Sequence, residues 1–253
     1  MFPLYDENPN VRVPYATIAL IAINVFVWFV VQGFGADPAL AKSLCQFALI
    51  PGDLLANVDP GTSFPVSETL RCQVDGQGDT KTLFSSMFMH GGWMHIIGNM
   101  WFLWVFGDNV EDSMGSVRFV CFYLLCGLAA AAAQIATNPA STVPMVGASG
   151  AIGGVMGAYA FLFPRTKVHT LIFLGFFVTT FAVPAVYMLG YWFIIQLVQG
   201  GMSIGSTGGG TAFWAHIGGF AAGIILINLF RDRTLVASHL AQPKLEDPRH
   251  RWF

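Results

Sequence analysis

The sequence predicts an all-α membrane protein, a bundle of six transmembrane helices, on three observations. Its residues are 55% hydrophobic and 10% charged, against roughly 25% charged in an average soluble domain. Six apolar segments approach the roughly 20 residues a helix needs to cross a hydrocarbon core of about 30 Å. The 12 Lys and Arg residues fall unevenly on the loops between those segments, and excess positive charge marks cytoplasmic loops. A length of 253 residues suits one domain, so 1–253 reads as a single membrane domain with its core at about 83–230. The formal net charge of -2 offers no basic footprint for nucleic acid. The expected surroundings are the lipid bilayer.

The first span covers about 15–31. It follows Asp6, Glu7 and a single Arg12, whereas a secretory signal has a basic head and a shorter apolar stretch. The segment is expected to be retained; a cleaved signal ending near Ala36, where small residues cluster, is the alternative. The loop at 32–93 is mostly polar, carries Pro51, Pro60 and Pro65, and predicts an irregular, partly structured elaboration. Its Cys45 and Cys72 either pair, as the oxidising side of a membrane allows, or stay two thiols.

The next spans fall at 94–108 and 117–135, the latter holding Cys121 and Cys126 as small packing residues. A fourth, at 149–163, is short and begins just after Pro139 and Pro144, as though the helix started below the membrane surface. Non-helical backbone at that depth survives only packed in protein or lining a wet cavity, so a cavity at Ser149 is expected. The stretch 169–198 is too long for one span. Pro184 restricts Val183 to an extended conformation, so the fifth span is placed at 184–198 and 171–183 is read as interfacial or re-entrant. The sixth covers 213–230, and 231–253 is a short tail.

With six spans, Arg12, Arg118, Arg165, Lys167, Arg231, Arg233, Lys244, Arg249 and Arg251 share one side and only Lys42, Arg71 and Lys81 the other. Both termini are therefore expected in the cytoplasm. The opposite side receives the loops at 32–93, 136–148 and 199–212. The location expected from this reading is the bacterial inner membrane.

In this topology the polar residues unusual for lipid lie at the outer starts of the second, fourth and sixth spans: His90, His95 and Asn99; Ser149; and His216. Such groups at membrane depth are functional candidates because burial without partners is costly. Taken singly, each is more often an interhelical hydrogen-bonding group. Their common depth shifts that balance. Ser149, Gly153 and Gly157 share one helix face, as do His216, Gly219 and Gly223, and small residues at this spacing let helices approach closely in lipid. If the two stripes pack together, Ser149 meets His216.

A serine hydroxyl needs a base within hydrogen-bond reach to become a nucleophile, and neutral histidine suits that role. Asp108, Glu111 and Asp112 sit at the far end of the second span, which leaves a Ser149–His216 dyad without a carboxylate. His95 and Asn99, four residues apart, share a face and can donate to an oxyanion together with the Ser149 N–H at its helix N-terminus. A packing hydrogen bond accounts for Asn99 equally well when it is taken alone.

Competing chemistries leave weaker traces. There is no His-Glu-x-x-His, and no pair of aspartates lies within the spans. Gly201-Met202-Ser203-Ile204-Gly205 matches G-x-S-x-G, but the nucleophile elbow needs a strand-turn-helix context, so Ser203 in a Gly-rich loop is read as a decoy. A small transporter or channel is opposed by the absence of a visible repeat and of a mid-membrane acid.

These residues resemble the rhomboid family. Gly147-Ala148-Ser149-Gly150, His216 with Gly219-Phe220-Ala221-Ala222-Gly223, and His90, His95 and Asn99 follow its Gly-x-Ser-Gly, His with Gly-x-x-x-Gly, and His-x-x-x-x-His-x-x-x-Asn patterns, in order. The resemblance implies a six-helix bundle and an intramembrane serine endopeptidase, with Ser149 and His216 as dyad, His95 and Asn99 as oxyanion donors, and His90 and Gly147 supporting. It implies transmembrane protein substrates and no metal or cofactor; an inactive relative that binds or traffics membrane proteins is the alternative. Two features depart from the family. Leu70-Arg71 stands where many members carry Trp-Arg, and Gly153 stands where some stack a tyrosine under the histidine, so His216 must be oriented from elsewhere.

Overall fold

The structure, a computed structural model, describes residues 2–66, 70–174, 177–204 and 210–242. A short strand, β1 (Phe2–Asp6), precedes α1 (Tyr15–Val30). The first loop folds into α2 (Ala39–Phe47), α3 (Pro51–Leu54), a hairpin of β2 (Ser63–Pro65) and β3 (Arg71–Gln73), and α4 (Thr82–Ser85). Then come α5 (Trp93–Asp112), α6 (Ser116–Thr137), α7 (Ser149–Leu162), the strands β4 (Lys167–Leu174) and β5 (Phe177–Pro184), α8 (Ala185–Ser203), α9 (Phe213–Phe230) and α10 (Arg233–Leu240).

Among the described residues α6, α8 and α9 are long and apolar enough to cross a membrane, and α1 and α7 are shorter apolar helices. The protein is thus mostly helical, and the spans read from the sequence coincide with helices to within a few residues. The largest difference is α8, which continues to Ser203. The loop expected at 199–212 therefore begins inside a helix, and its residues 205–209 lie outside the described ones, as does the tail from 243.

The all-α expectation needs correction between α7 and α8. β4 and β5 pair antiparallel, and β1 pairs with β4 to give a sheet of order β1-β4-β5. Val, Thr, Ile and Phe favour strands, but in a membrane protein they read equally as a buried apolar run. What selects strand is pairing with Phe2–Asp6, far away in sequence. Pro184 does end the extended segment and sit at the N-cap of α8, as its restriction on Val183 predicts. The sheet is tied to the bundle by polar contacts: Tyr159 donates to Asp6 and Asn8 donates to the Tyr159 hydroxyl at 3.0 Å, while within the sheet Glu7 lies 3.2 Å from His169.

The carboxylates at the end of α5 do structural work there. Glu111 accepts from the backbone N–H groups of Ala16 and Thr17 at 3.0 and 2.8 Å, so an anion satisfies orphan donors in the first turn of α1, where the helix dipole favours negative charge. Asp112 accepts from the Val11 N–H at 2.8 Å and lies 3.6 Å from Arg12.

The core is organised around α7, in which all but a few side chains are buried. At 14 residues it is about 21 Å long, too short to cross the hydrocarbon core alone. Its neighbour α9 approaches to backbone contact: a Cβ at Gly219 would stand 1.9 Å from the Gly150 carbonyl oxygen, and one at Gly223 1.9 Å from that of Gly154. The two helices do meet through small residues, but Gly219 and Gly223 rest on Gly150 and Gly154, one residue on from the expected Ser149, Gly153 and Gly157, and Gly153 and Gly157 meet the backbone of His216 and Phe220 instead. Cys126 is buried against Gly154, while Cys121 is exposed.

The first loop braces the start of α7. Cys45 and Cys72 form a disulfide beside a small core of Ile50, Phe64 and Val74, and Arg71 bonds Ser63 across the hairpin. Leu49 and Met145 exchange backbone hydrogen bonds of 3.0 and 2.8 Å, Gly52 donates to the Ser141 carbonyl at 2.9 Å, and Gly147 to that of Ser86 at 2.9 Å. Residues 141–147 are thereby held as a non-helical approach to Ser149.

Candidate active site

Ser149 is the first residue of α7, and Gly147 just before it has φ of +124°, a conformation that favours glycine. A Cβ there would also lie 2.6 Å from His95 Nε2. Glycine is thus required twice, by the turn and by the imidazole packed on it. Because α7 begins at Ser149, the Ser149 N–H has no acceptor within the helix.

His216 comes from the first turn of α9. That turn is fixed by Gln134 of α6, whose side-chain oxygen accepts from the Ala215 N–H at 3.2 Å. His216 Nε2 lies 2.8 Å from Ser149 Oγ, inside the usual range for a hydrogen bond to a hydroxyl. Its other nitrogen, Nδ1, lies 2.8 Å from Oε1 of Gln196 on α8. Trp192, one turn earlier on α8, lays its ring against the imidazole with centroids 5.7 Å apart at 35°. Gly153 adds no side chain: a Cβ there would meet the His216 carbonyl oxygen at 3.1 Å.

Gln196 and Trp192 are the site residues that reasoning from sequence missed. A signal existed, since Gln196 is a polar residue within an apolar span, the property that singled out the others. No spacing rule connects α8 to the face of α9, however.

Helix α5 and the turn before it contribute their share. His95 Nδ1 accepts from the Gly91 N–H at 3.3 Å, which leaves Nε2 to carry the ring proton. Asn99 is buried, and its Nδ2 has no hydrogen-bond partner among the described residues. That donor is 3.5 Å from where a Cβ of Gly147 would stand. His90, in the turn before α5, packs edge-to-face on His95 at 5.1 Å. Gln32 holds its backbone, donating to the His90 carbonyl at 2.7 Å and accepting from its N–H at 2.8 Å. Burial, reinforced by the neighbouring His95 and opposed by a backbone hydrogen bond at Phe88, pushes the His90 imidazole down to about 3, so that ring is neutral.

A cavity of about 1320 Å³ opens at this site. His95, Asn99, Ser149 and His216 share its wall with Gln134 and Trp192. Ser203 also borders it, but its hydroxyl donates to the Gly200 carbonyl of its own helix at 2.8 Å. It sits in the last turn of α8, not in the Gly-rich loop where it was expected. The carboxylates of α5 belong to the opposite end of the bundle.

The apolar helices around this cavity define a helical integral membrane protein. The Rhomboid domain matches residues 77–233, and the chain belongs to the rhomboid family. It is similar to Rhomboid protease GluP of Bacillus subtilis, 31% identical over 205 residues that cover 81% of this chain and 35% of that protein. It is also similar to RHOMBOID-like protein 5 of Arabidopsis thaliana, 27% identical over 161 residues, 60% of this chain and 52% of the relative. Rhomboid protein 1, mitochondrial, of Saccharomyces cerevisiae is 28% identical over 150 residues, 57% and 40% of the two chains. The chain thus spans between about a third and a half of the length of these relatives.

Proposed function

We propose that this chain is an intramembrane serine endopeptidase that cuts membrane-anchored proteins in or near a transmembrane helix, with Ser149 as nucleophile and His216 as base. The observation that carries this reading is the 2.8 Å contact between His216 Nε2 and Ser149 Oγ on the wall of a cavity among apolar helices. Ser149 Oγ attacks the scissile carbonyl as its proton passes to Nε2. His216 then gives that proton to the leaving amine, and water admitted by the cavity resolves the acyl-enzyme by the same exchange. The test is cleavage of single-span model substrates by the purified protein, taken up in the Discussion.

The tetrahedral intermediate needs donors aimed at its oxygen, and the unpaired Nδ2 of Asn99, the Nε2–H of His95 and the Ser149 N–H flank the Gly147 turn. Removing one such donor lowers turnover on the order of a hundred- to a thousand-fold. Asn99→Ala is therefore expected to lose kcat by that factor with little change in KM, the pattern of an interaction made only in the transition state. Wild-type kcat in a folded Asn99→Ala protein would reduce Asn99 to a packing residue.

The same reading makes α1, α5, α6, α7, α8 and α9 the six spans of one membrane domain at 1–253, its core at about 83–230. Both termini are in the cytoplasm, and the bacterial inner membrane is the location. The uneven distribution of Lys and Arg supports the orientation, and so does the Cys45–Cys72 disulfide, since such bonds persist on the oxidising side. Single cysteines introduced at Arg165 and Arg233 should react with an impermeant thiol reagent only after the membrane is opened, and one at Asn138 from outside. The reverse pattern would place the cavity on the cytoplasmic face and undo this topology.

A further inference from the structure

We propose that Gln196 is a positioning residue for His216: its amide oxygen accepts a hydrogen bond from Nδ1–H and so keeps Nε2 as the bare nitrogen facing Ser149. The inference rests on the protease reading and supplies the orienting group that neither a carboxylate nor an aromatic at Gly153 provides.

The assignment follows from donors and acceptors. The Gln196 side-chain nitrogen lies 3.4 Å from the Trp192 carbonyl oxygen, one turn back on α8. A carbonyl only accepts, so the NH2 end of the amide faces Trp192 and the oxygen faces His216. That oxygen also only accepts, so the nitrogen 2.8 Å from it, Nδ1, carries the proton. A neutral imidazole has one ring N–H, and Nε2 is left with its lone pair toward Ser149 Oγ. The resulting chain runs Ser149 O–H to His216, His216 N–H to Gln196, and one Gln196 N–H to Trp192, each link pointing a donor at an acceptor.

Burial makes the bond matter. Gln196 is only 6% exposed, so an Nδ1–H without this acceptor would face side chains, not water, and a buried donor left unpaired is unfavourable. The ring would answer by moving its proton to Nε2, where it would donate to Ser149 and cease to be a base. Trp192 fixes the plane of the ring but cannot choose between the tautomers. When Nε2 takes up the serine proton, the Nδ1–H bond becomes charge-assisted and shortens. A neutral amide does this without burying an anion beside the nucleophile.

The test is carried out on the full chain in detergent micelles. Long-range proton–nitrogen correlation on protein labelled with 15N-histidine, with His216 signals identified by their loss in His216→Phe, should show a protonated Nδ1 and a bare Nε2. The opposite tautomer in the wild type would overturn the proposal without any variant of Gln196. Gln196→Leu should lower kcat against a single-span substrate by about tenfold to a hundredfold, leave KM near wild type, and shift His216 toward the other tautomer. Gln196→Glu keeps an acceptor at the same reach and should recover most of that loss. A slower Gln196→Leu with the tautomer unmoved would make Gln196 a packing residue only, as would wild-type kcat in that variant. If the wild type cleaves no membrane substrate, the protease reading fails, and the tautomer comparison still decides the role of Gln196.

Discussion

Purified Ser149→Ala is expected to leave a single-span model substrate intact under conditions where the wild type cuts it. The loss should be on the order of 10⁴- to 10⁶-fold in kcat, the range seen when a serine enzyme loses its nucleophile or base. His216→Ala should fall into the same range, because the hydroxyl would keep its proton. The two losses should not add, since both remove one proton-transfer unit. Ser203 supplies the internal control. It borders the same cavity, yet its hydroxyl is committed to the Gly200 carbonyl and among the described residues no base is bonded to it. Ser203→Ala should therefore cleave like wild type, and a serine-directed fluorophosphonate should label both of these proteins but not Ser149→Ala. Undiminished cleavage by Ser149→Ala would refute the mechanism. Cleavage by none of the proteins, wild type included, would favour an inactive member of the family.

Much of this site is legible in the sequence because a membrane helix leaves few reasons for a polar residue. Ser149, His216, His95 and Asn99 stand out from apolar runs, and helical periodicity alone aligns Ser149 with Gly153 and His216 with Gly219. The structure brings the two helices to backbone contact, with Gly219 on Gly150 and Gly223 on Gly154, while Gly153 meets His216. What periodicity cannot carry is the relation between helices that share no motif. Gln196 lies 20 residues from His216 in sequence, and only the packing of α8 on α9 turns it toward Nδ1. The sheet was hidden for a related reason, since strand β4 needs a partner, and β1 lies at the other end of the sequence. The disulfide was left undecided because compartment permits a bond between Cys45 and Cys72 but spacing does not require one.

Gly223→Ala and Gly219→Ala are expected to destabilise the protein severely, each by about 3 kcal/mol or more, while Gly190→Ala on the neighbouring helix should be neutral or slightly stabilising. The difference lies in what the added methyl meets. At Gly223 it would stand 1.9 Å from the Gly154 carbonyl oxygen, and at Gly219 the same distance from that of Gly150. A carbon and a carbonyl oxygen settle at about 3.3 Å or more, so α9 would have to move away from α7 by over an ångström. No side chain can rotate aside, because both obstacles are backbone. Such a shift forfeits the close packing that holds helices together where lipid gives no hydrophobic drive. It would also carry His216 away from Ser149, the residues at the head of the two stripes. At Gly190 nothing lies within 4 Å of the added methyl, and alanine is the better helix former by up to about 1 kcal/mol. Thermal unfolding in detergent, followed in parallel with fluorophosphonate labelling, separates the cases. Gly223→Ala should melt well below the wild type and label poorly even at low temperature, whereas Gly190→Ala should match it in both. A Gly223→Ala protein with wild-type Tm and labelling would mean that α7 and α9 do not touch through their glycines, and the contact between Ser149 and His216 would lose its structural support.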